Sequence, residues 1–257
     1  MLQGLPHFWI NRAQDGERRA QAQAAFARAG VAHARVEAVT PDTLPPVALR
    51  EPFSNTLAEL AIFCSHLRAA GAALHSGAAA AVIMEDDVRA HHLFDGAALL
   101  ASAPPDWEIL QLQTSNAAVV RELGELYLGH GTLWYEWEPV CWSAGAWVAR
   151  RGAIEALLAR YCPDGVRLDL GGVHAPGKLV ADHLLYRRSA CYTATVPYFH
   201  NDLAQPSTHA PQRDPTHHAP GAQGAAEVRR RILEAVAAGR APAGAPLQAG
   251  YPFALAP

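Results

Sequence analysis

The spacing of hydrophobic positions predicts strands that alternate with helices in the first half of the chain. Four apolar runs have the length of strands, at 7–10, 32–39, 79–84 and 107–112. Between them, Glu17 to Ala29 and Leu57 to Leu74 repeat apolar residues at helical spacing, and Gly30 is a suitable residue to end the first helix. Alternation of this kind favours an α/β fold with a mainly parallel sheet.

The second of these helices has the clearest signals at its ends. Thr56 and Glu59 have the spacing of a capping box at its start, and Ser76-Gly77 ends it. The run Ala79 to Met84 follows and is apolar without interruption. Such a run is typical of a strand that is buried on both faces of a parallel sheet.

Weaker patterns cover the rest of the chain. We expect β-like segments at 126–137 and 145–149, helices at 151–161 and 181–188, a strand at 191–196 and a last helix at 223–239. Residues 204–224 are rich in Pro, His, Gln and Ala, and 240–257 are rich in Ala, Pro and Gly, which is typical of irregular structure. We therefore divide the chain into a domain at 1–207 and a linker, C-terminal helix and irregular tail at 208–257.

Composition narrows the classes of partner. Half of the 257 residues are hydrophobic, so the chain can bury a large core, and the net charge of −3 argues against a nucleic-acid partner. The four cysteines form no CxxC pair, so no thiolate zinc site is expected.

No signal peptide and no run of 18 apolar residues is found, so we expect no transmembrane segment and a cytoplasmic location. Arg229-Arg230-Arg231 could rest the last helix peripherally on an anionic membrane, although a solvated helix face is the preferred explanation.

The candidate chemistry begins with Glu85-Asp86-Asp87, directly after the buried apolar run. Open α/β sheets bind ligands at the carboxyl ends of their strands. Three adjacent acids repel one another unless a cation offsets their charge, and oxygen ligands favour Mn²⁺ or Mg²⁺. The triplet therefore predicts a metal site that binds a diphosphate, with a solvated acidic turn as the alternative.

Motifs in the right order around the triplet resemble those of glycosyltransferase family 25, which includes lipooligosaccharide galactosyltransferases and the procollagen galactosyltransferase domain. The matching segments are Ile10-Asn11 with Glu17-Arg18-Arg19, 35–39, 59–67 and 82–88. Looser matches at 142–153, 181–185 and 197–207, the last including Gln205 and Ser207, extend the resemblance to about residue 207.

This resemblance implies a GT-A-like three-layer α/β/α sandwich with a mainly parallel, mixed sheet. It implies an inverting enzyme that moves a hexose, with galactose expected, from a UDP-sugar to a glycan or glycolipid, as in lipopolysaccharide biosynthesis. Mn²⁺ or Mg²⁺ would be held by Asp87, with His200 as a further ligand or else part of a polar loop. The donor site would contain Asn11, Arg18, Ser65, His66, Glu85 and Asp86.

Several of these residues have structural alternatives. Asn11 and Arg18 could belong to a helix N-terminal turn, and His66 could be a buried histidine bonded to a backbone carbonyl. Inversion needs a general base for the acceptor hydroxyl. Asp182 is the leading candidate, with Asp169, Glu138 and Glu136 as rivals and an N-cap role for Asp182 as the alternative. Of the tryptophans Trp134, Trp137, Trp142 and Trp147, one or two could stack on an acceptor sugar, and the others are expected in the core.

Two other functions stay open at this point. The family pattern has Leu after Asn11 and Asp-Gly after 38–39, whereas this chain has Arg12 and Thr40-Pro41. These differences motivate a catalytically degenerate protein that binds sugar nucleotides or glycans. A different metal enzyme acting on phosphates would need further carboxylates or a phosphate-binding glycine loop, and neither pattern is found.

Overall fold

The computed structural model describes residues 1–49, 55–90, 92–173, 180–203 and 218–242. The strands in these ranges are β1 (Leu2–Gln3), β2 (His7–Asn11), β3 (His33–Glu37), β4 (Val47–Ala48), β5 (Ala80–Glu85), β6 (Val88–Ala90), β7 (Phe94–Asp95), β8 (Ile109–Gln111), β9 (Trp134–Glu136), β10 (Ala146–Arg150), β11 (Leu168–Asp169), β12 (Cys191–Ala194) and β13 (Phe199–Asn201). The helices are α1 (Gly16–Ala29), α2 (Leu57–His75), α3 (Gly96–Ser102), α4 (Ala117–His130), α5 (Arg151–Tyr161), α6 (Ala181–Tyr186) and α7 (Ala219–Ala237), with a 3₁₀ turn at Pro41–Thr43.

Seven strands form the central sheet in the order β3-β2-β5-β10-β8-β12-β9. β3, β2 and β5 are parallel to one another, and so are β8 and β12. β10 runs antiparallel between β5 and β8, and β9 is antiparallel to β12 at the edge. The sheet is therefore mixed and mainly parallel, as predicted.

Helices cover both faces of this sheet because successive strand residues point to opposite sides. Trp9, Val82 and Val148 belong to one core, which also receives apolar residues of α1, α3, α4 and α7. Phe8, Ile83 and Trp147 belong to the other core, against α2, α5 and α6. The predicted three-layer α/β/α architecture is confirmed.

The helix ends follow local sequence signals. Gly30 ends α1 in the left-handed conformation, with φ of 61°. Thr56 and Glu59 form the predicted capping box of α2, which contributes about 1 kcal/mol to stability. α2 is long and apolar enough to cross a membrane by length and composition, but it buries eleven of its residues inside this fold, as core helices do.

The predicted β-like segment at 126–137 is wrong in its first half. Residues 126–130 complete helix α4, which Asn116 caps and Gly131 ends. Only Trp134–Glu136 is a strand. Val119, Val120, Leu123 and Tyr127 are buried at helical spacing, and their packing decides the conformation.

The last helix begins four residues earlier than predicted and packs on the sheet domain. Val228 and Ile232 of α7 are fully buried in the same core as Trp9. A side-chain Cβ at Gly124 of α4 would lie 2.6 Å from a methyl of Val228, so the two helices approach closely only because this position is glycine. The boundary at residue 207 stays a prediction; Gln205, Ser207 and most of the tail lie outside the described residues.

Candidate active site

One cavity of about 740 Å³ lies where β2 and β5 end, within the size range of small-molecule sites, about 300–1,000 Å³. Eight of the nine predicted site residues line it. They are Asn11, Arg18, Ser65, His66, Glu85, Asp86, Asp87 and Asp182. These residues come from elements that are distant in sequence, and the parallel pairing of β2 with β5 brings the first of them together.

Asp86 is the centre of a saturated ionic network. Its Oδ2 accepts from Asn11 Nδ2 at 2.7 Å, and its Oδ1 accepts from Arg18 at 2.8 Å. Arg35 Nε donates to Asn11 Oδ1 at 2.8 Å and thereby orients the Asn11 amide, which also donates to the Asp15 carbonyl. Burial raises the pKa of Asp86, and the contacts with Asn11 and Arg18 lower it in part. Both amide hydrogens of Asn11 are thus used within the protein.

Asp87 is held differently from Asp86. Its Oδ2 lies 3.6 Å from Arg18, whereas its buried Oδ1 has no hydrogen-bond partner among the described residues. Burial, followed by the charge of Glu85, raises the pKa of Asp87 to about 7. We call Asn11, Arg18, Asp86 and Asp87, with Arg35 behind Asn11, the ionic wall of the cavity.

Glu85 is oriented by a buried histidine. Trp147 Nε1 donates to His66 Nδ1 at 3.3 Å, so the ring proton lies on Nε2, which donates to Glu85 Oε1 at 3.2 Å. His66 is fully buried, while about a third of the Glu85 side chain is exposed to the cavity. The alternative of a histidine bonded to a backbone carbonyl is not found, and Trp147 is a partner that the sequence did not reveal.

Ser65 connects α2 to the end of β3. Its hydroxyl donates to the Ala61 carbonyl at 2.8 Å and accepts from the Val39 N–H at 2.8 Å. This second bond holds the chain that leads into Thr40 and Pro41, which also line the cavity. The hydroxyl therefore has the partner that a serine within a helix requires.

Asp182 is buried in the first turn of α6, and it lines the cavity. Val180 is the N-cap residue, so the alternative role of Asp182 as N-cap is wrong. Burial raises the pKa of Asp182, which makes its carboxylate a stronger base. The rivals Asp169, Glu136 and Glu138 do not line the cavity, and Glu138 accepts from Tyr135 instead.

His200 is the predicted site residue that lies elsewhere. It occupies the middle of β13, which pairs with β6, and it does not line the cavity. Asn201 lines it instead, since neighbouring residues of a strand face opposite sides. Burial, together with Arg229, lowers the pKa of His200 to about 4.

Amides and hydroxyls form a second wall, in which Ser115, Ser143 and Asn201 line the cavity and the buried Gln113 is bonded to all three. Gln113 Nε2 donates to Asn201 Oδ1 at 2.6 Å, and Ser115 donates to the same oxygen at 3.2 Å. Ser143 donates to Gln113 Oε1 at 3.1 Å. We call Gln113, Ser115, Ser143 and Asn201 the amide wall. The sequence does not identify these residues as site residues, because single Gln, Ser and Asn residues have no distinctive pattern.

The tryptophans divide as the sequence suggested. Trp142 lines the cavity and is 42% exposed, so one of its faces is open to a ligand. Trp147 is fully buried in the core. Trp134 and Trp137 are partly buried against the cores. Trp142 is therefore the tryptophan with the position to stack on a sugar.

The carboxylates fit a divalent cation only together with a ligand. In the described ranges no group of three His, Cys, Asp or Glu residues could hold a metal by itself. Asp87 Oδ1 is nevertheless a buried, unpartnered oxygen of the kind that Mn²⁺ and Mg²⁺ prefer. These cations are commonly held by one or two carboxylates with phosphate oxygens completing the shell. The site thus fits a metal–diphosphate complex.

Comparison with known proteins adds little to this geometry. No protein-family model matches the chain, and no curated protein does. Among solved structures, a glycosyltransferase involved in the glycosylation of the major capsid of PBCV-1 matches with a TM-score of 0.33 and 8% identity over 88% of this chain and 98% of that chain. Membership of glycosyltransferase family 25 stays a prediction.

Proposed function

We propose that this protein is a metal-dependent glycosyltransferase that moves a hexose from a UDP-sugar to a hydroxyl of a glycan or glycolipid. The observation that carries the proposal is the unpartnered carboxylate oxygen of Asp87, beside Arg18, at the end of β5 in a large cavity. The resemblance to family 25 supports the same chemistry through the order of its motifs, and galactose is the expected sugar.

The chain's own residues have distinct tasks in this proposal. Asp87 would hold the cation, and Arg18 offsets the charge of the acids. A bound Mn²⁺ or Mg²⁺ would stabilise the charge that develops on the leaving diphosphate. Glu85, oriented by His66, offers a carboxylate that accepts hydrogen bonds from hydroxyl groups of the donor.

The acceptor hydroxyl needs a base on the opposite side of the transferred sugar. Asp182 is buried in the same cavity, and burial raises its pKa, which makes its carboxylate a stronger base for the acceptor proton. Removal of its charge should lower the transfer rate by about 10²- to 10⁴-fold, the usual contribution of general base catalysis. The exposed Trp142 provides an apolar face for the acceptor sugar.

Thermal unfolding with UDP and Mn²⁺ tests the metal site. Since the described residues offer no group of three metal ligands, Mn²⁺ alone should leave the melting temperature unchanged, whereas UDP and Mn²⁺ together should raise it. Asp87→Ala should abolish the joint effect, and Asp42→Ala, an exposed acid at the cavity rim, should keep it. A wild-type shift that persists in Asp87→Ala would refute the metal assignment.

A panel of UDP-sugars with Mn²⁺ separates the enzyme from a degenerate binding protein. Turnover of one UDP-hexose, at least as hydrolysis, is expected of a transferase. Tight binding of UDP-sugars without hydrolysis or transfer to any glycan acceptor would instead identify a binding protein on the same fold.

A further inference from the structure

The amide wall contains one polar group that the protein leaves unused. Asn201 is 95% buried, since its exposed fraction is 5%. Its Oδ1 accepts from both Gln113 and Ser115. Its Nδ2 has no acceptor among the described residues, and Asn201 lines the cavity. This donor is therefore available to a ligand in the cavity, which would supply the acceptor that the described residues do not.

The neighbours of Asn201 determine which end of its amide is available. The Gly145 N–H donates to Ser143 Oγ at 3.1 Å, and Ser143 in turn donates to Gln113 Oε1. Gln113 therefore presents its Nε2 to Asn201, whose oxygen is turned toward this donor. Gly145 packs directly against this amide, because a Cβ at Gly145 would lie 2.0 Å from Gln113 Oε1.

Asn201 is also connected to Asp87 through the pairing of their backbones. β13 pairs with β6 so that Asn201 lies opposite Val88, the residue after Asp87. The next residue, Asp202, donates its backbone N–H to the Asp87 carbonyl at 2.7 Å. The Asn201 amide is thus carried by backbone that is bonded to the proposed metal ligand.

We propose that Asn201 is a specificity-determining residue that donates a hydrogen bond from Nδ2 to a hydroxyl oxygen of the hexose in the UDP-sugar. This rests on the proposed function and adds the sugar-reading group to it. Arg18 and a cation would neutralise the charge of the diphosphate. A neutral donor next to them is therefore suited to an uncharged oxygen. A site built to bond a hydroxyl discriminates strongly against ligands that lack it.

Calorimetric titration of UDP and of UDP-galactose or UDP-glucose, each with Mn²⁺, tests this assignment. Asn201→Asp keeps the oxygen that Gln113 and Ser115 bond but replaces the donor with an acceptor, and Asn201→Ala removes both. Both variants should bind UDP within about twofold of wild type and the preferred UDP-hexose at least about tenfold more weakly. Asn116→Asp, which keeps an N-cap oxygen on α4, should bind both ligands as wild type does.

The outcomes separate the two proposals. Equal loss of UDP and UDP-hexose affinity, or unchanged UDP-hexose affinity in both variants, would overturn the role of Asn201 while leaving the proposed function intact. Failure of the wild-type protein to bind UDP or any UDP-hexose would overturn the proposed function and this role with it. Melting temperatures of the variants without ligand verify that each is folded.

Discussion

The two walls of the cavity provide partners for their buried polar groups in different ways. The ionic wall places charges together, and Asp86 is satisfied by Asn11 and Arg18 on both oxygens. The amide wall has no charge, and among the described residues only the Nδ2 of Asn201 in this wall has no partner. One wall therefore offers charge and an unpartnered carboxylate oxygen, the buried Oδ1 of Asp87, and the other offers one oriented neutral donor. In the proposed function, the charged wall would bind the diphosphate, whereas the oriented amide would discriminate among hydroxyl groups of the sugar.

The largest expected effect comes from breaking the ionic wall at Arg18. Arg18→Met should destabilise the protein by about 3–5 kcal/mol, because the carboxylates of Asp86 and Asp87 lose their buried counter-charge. Arg28→Met, at an exposed position of the same helix, should cost less than about 1 kcal/mol. Urea unfolding measures both. Similar costs for the two variants would show that the ionic wall contributes little.

The next largest loss of stability is expected in the amide wall, at Gly145. Gly145→Ala would place a Cβ 2.0 Å from Gln113 Oε1 and 2.9 Å from a methyl of Val88, so a cost of about 3 kcal/mol is expected. Gly152→Ala is the matched control in α5, where a Cβ meets nothing within 4 Å. This control should be neutral or stabilise by about 0.5–1 kcal/mol. A tolerated Gly145→Ala would mean that the amide wall is not rigid.

Removal of the Asp87 charge should stabilise the protein, whereas the two preceding substitutions should destabilise it. The folded pKa of Asp87 is about 7 and lies above the ordinary value of 3.8, so the stability present below pH 3.8 is lost as the pH rises through 7. With EDTA at pH 8, Asp87→Asn should therefore be more stable than wild type by roughly 2–4 kcal/mol, and the gain should shrink at pH 5. The exposed control Asp42→Asn should show no such pH-dependent gain. An equal gain at both pH values would contradict the raised pKa.

The smallest effect concerns the histidine that orients Glu85. Trp147→Phe removes the N–H that bonds His66 Nδ1 and should cost about 1 kcal/mol. Trp134→Phe, which loses a more exposed bond to Ser102, should cost less than about 0.5 kcal/mol. If Glu85 contacts the donor, only the first variant should weaken UDP-sugar binding. Unchanged binding in Trp147→Phe would assign His66 a purely structural role.

The ionic wall was largely predictable from sequence, and the amide wall was not. The uninterrupted run before Glu85 and the capping box at Thr56 are local signals, and they place the acids at the end of β5 and His66 within α2. The partners of those residues arise from strand pairing: antiparallel β10 brings Trp147 to His66, and β13 on β6 brings Asn201 into the cavity. Local periodicity contains no information about which distant strands pair. The sequence therefore predicted His200 as a site residue, whereas Asn201 lines the cavity.

The close approach of α7 to the amide wall has a consequence for how the protein is made. A Cβ at Gly221 would lie 2.3 Å from the Ser115 carbonyl, so the start of α7 rests directly on the backbone of the cavity wall. His218, at the N-cap of this helix, lines the cavity together with Asn11 from the second strand. During synthesis, Asn11 leaves the ribosome long before His218. Nascent chains that stop short of α7 should therefore hold an open, incomplete cavity, and ligand binding should appear only after this helix has docked.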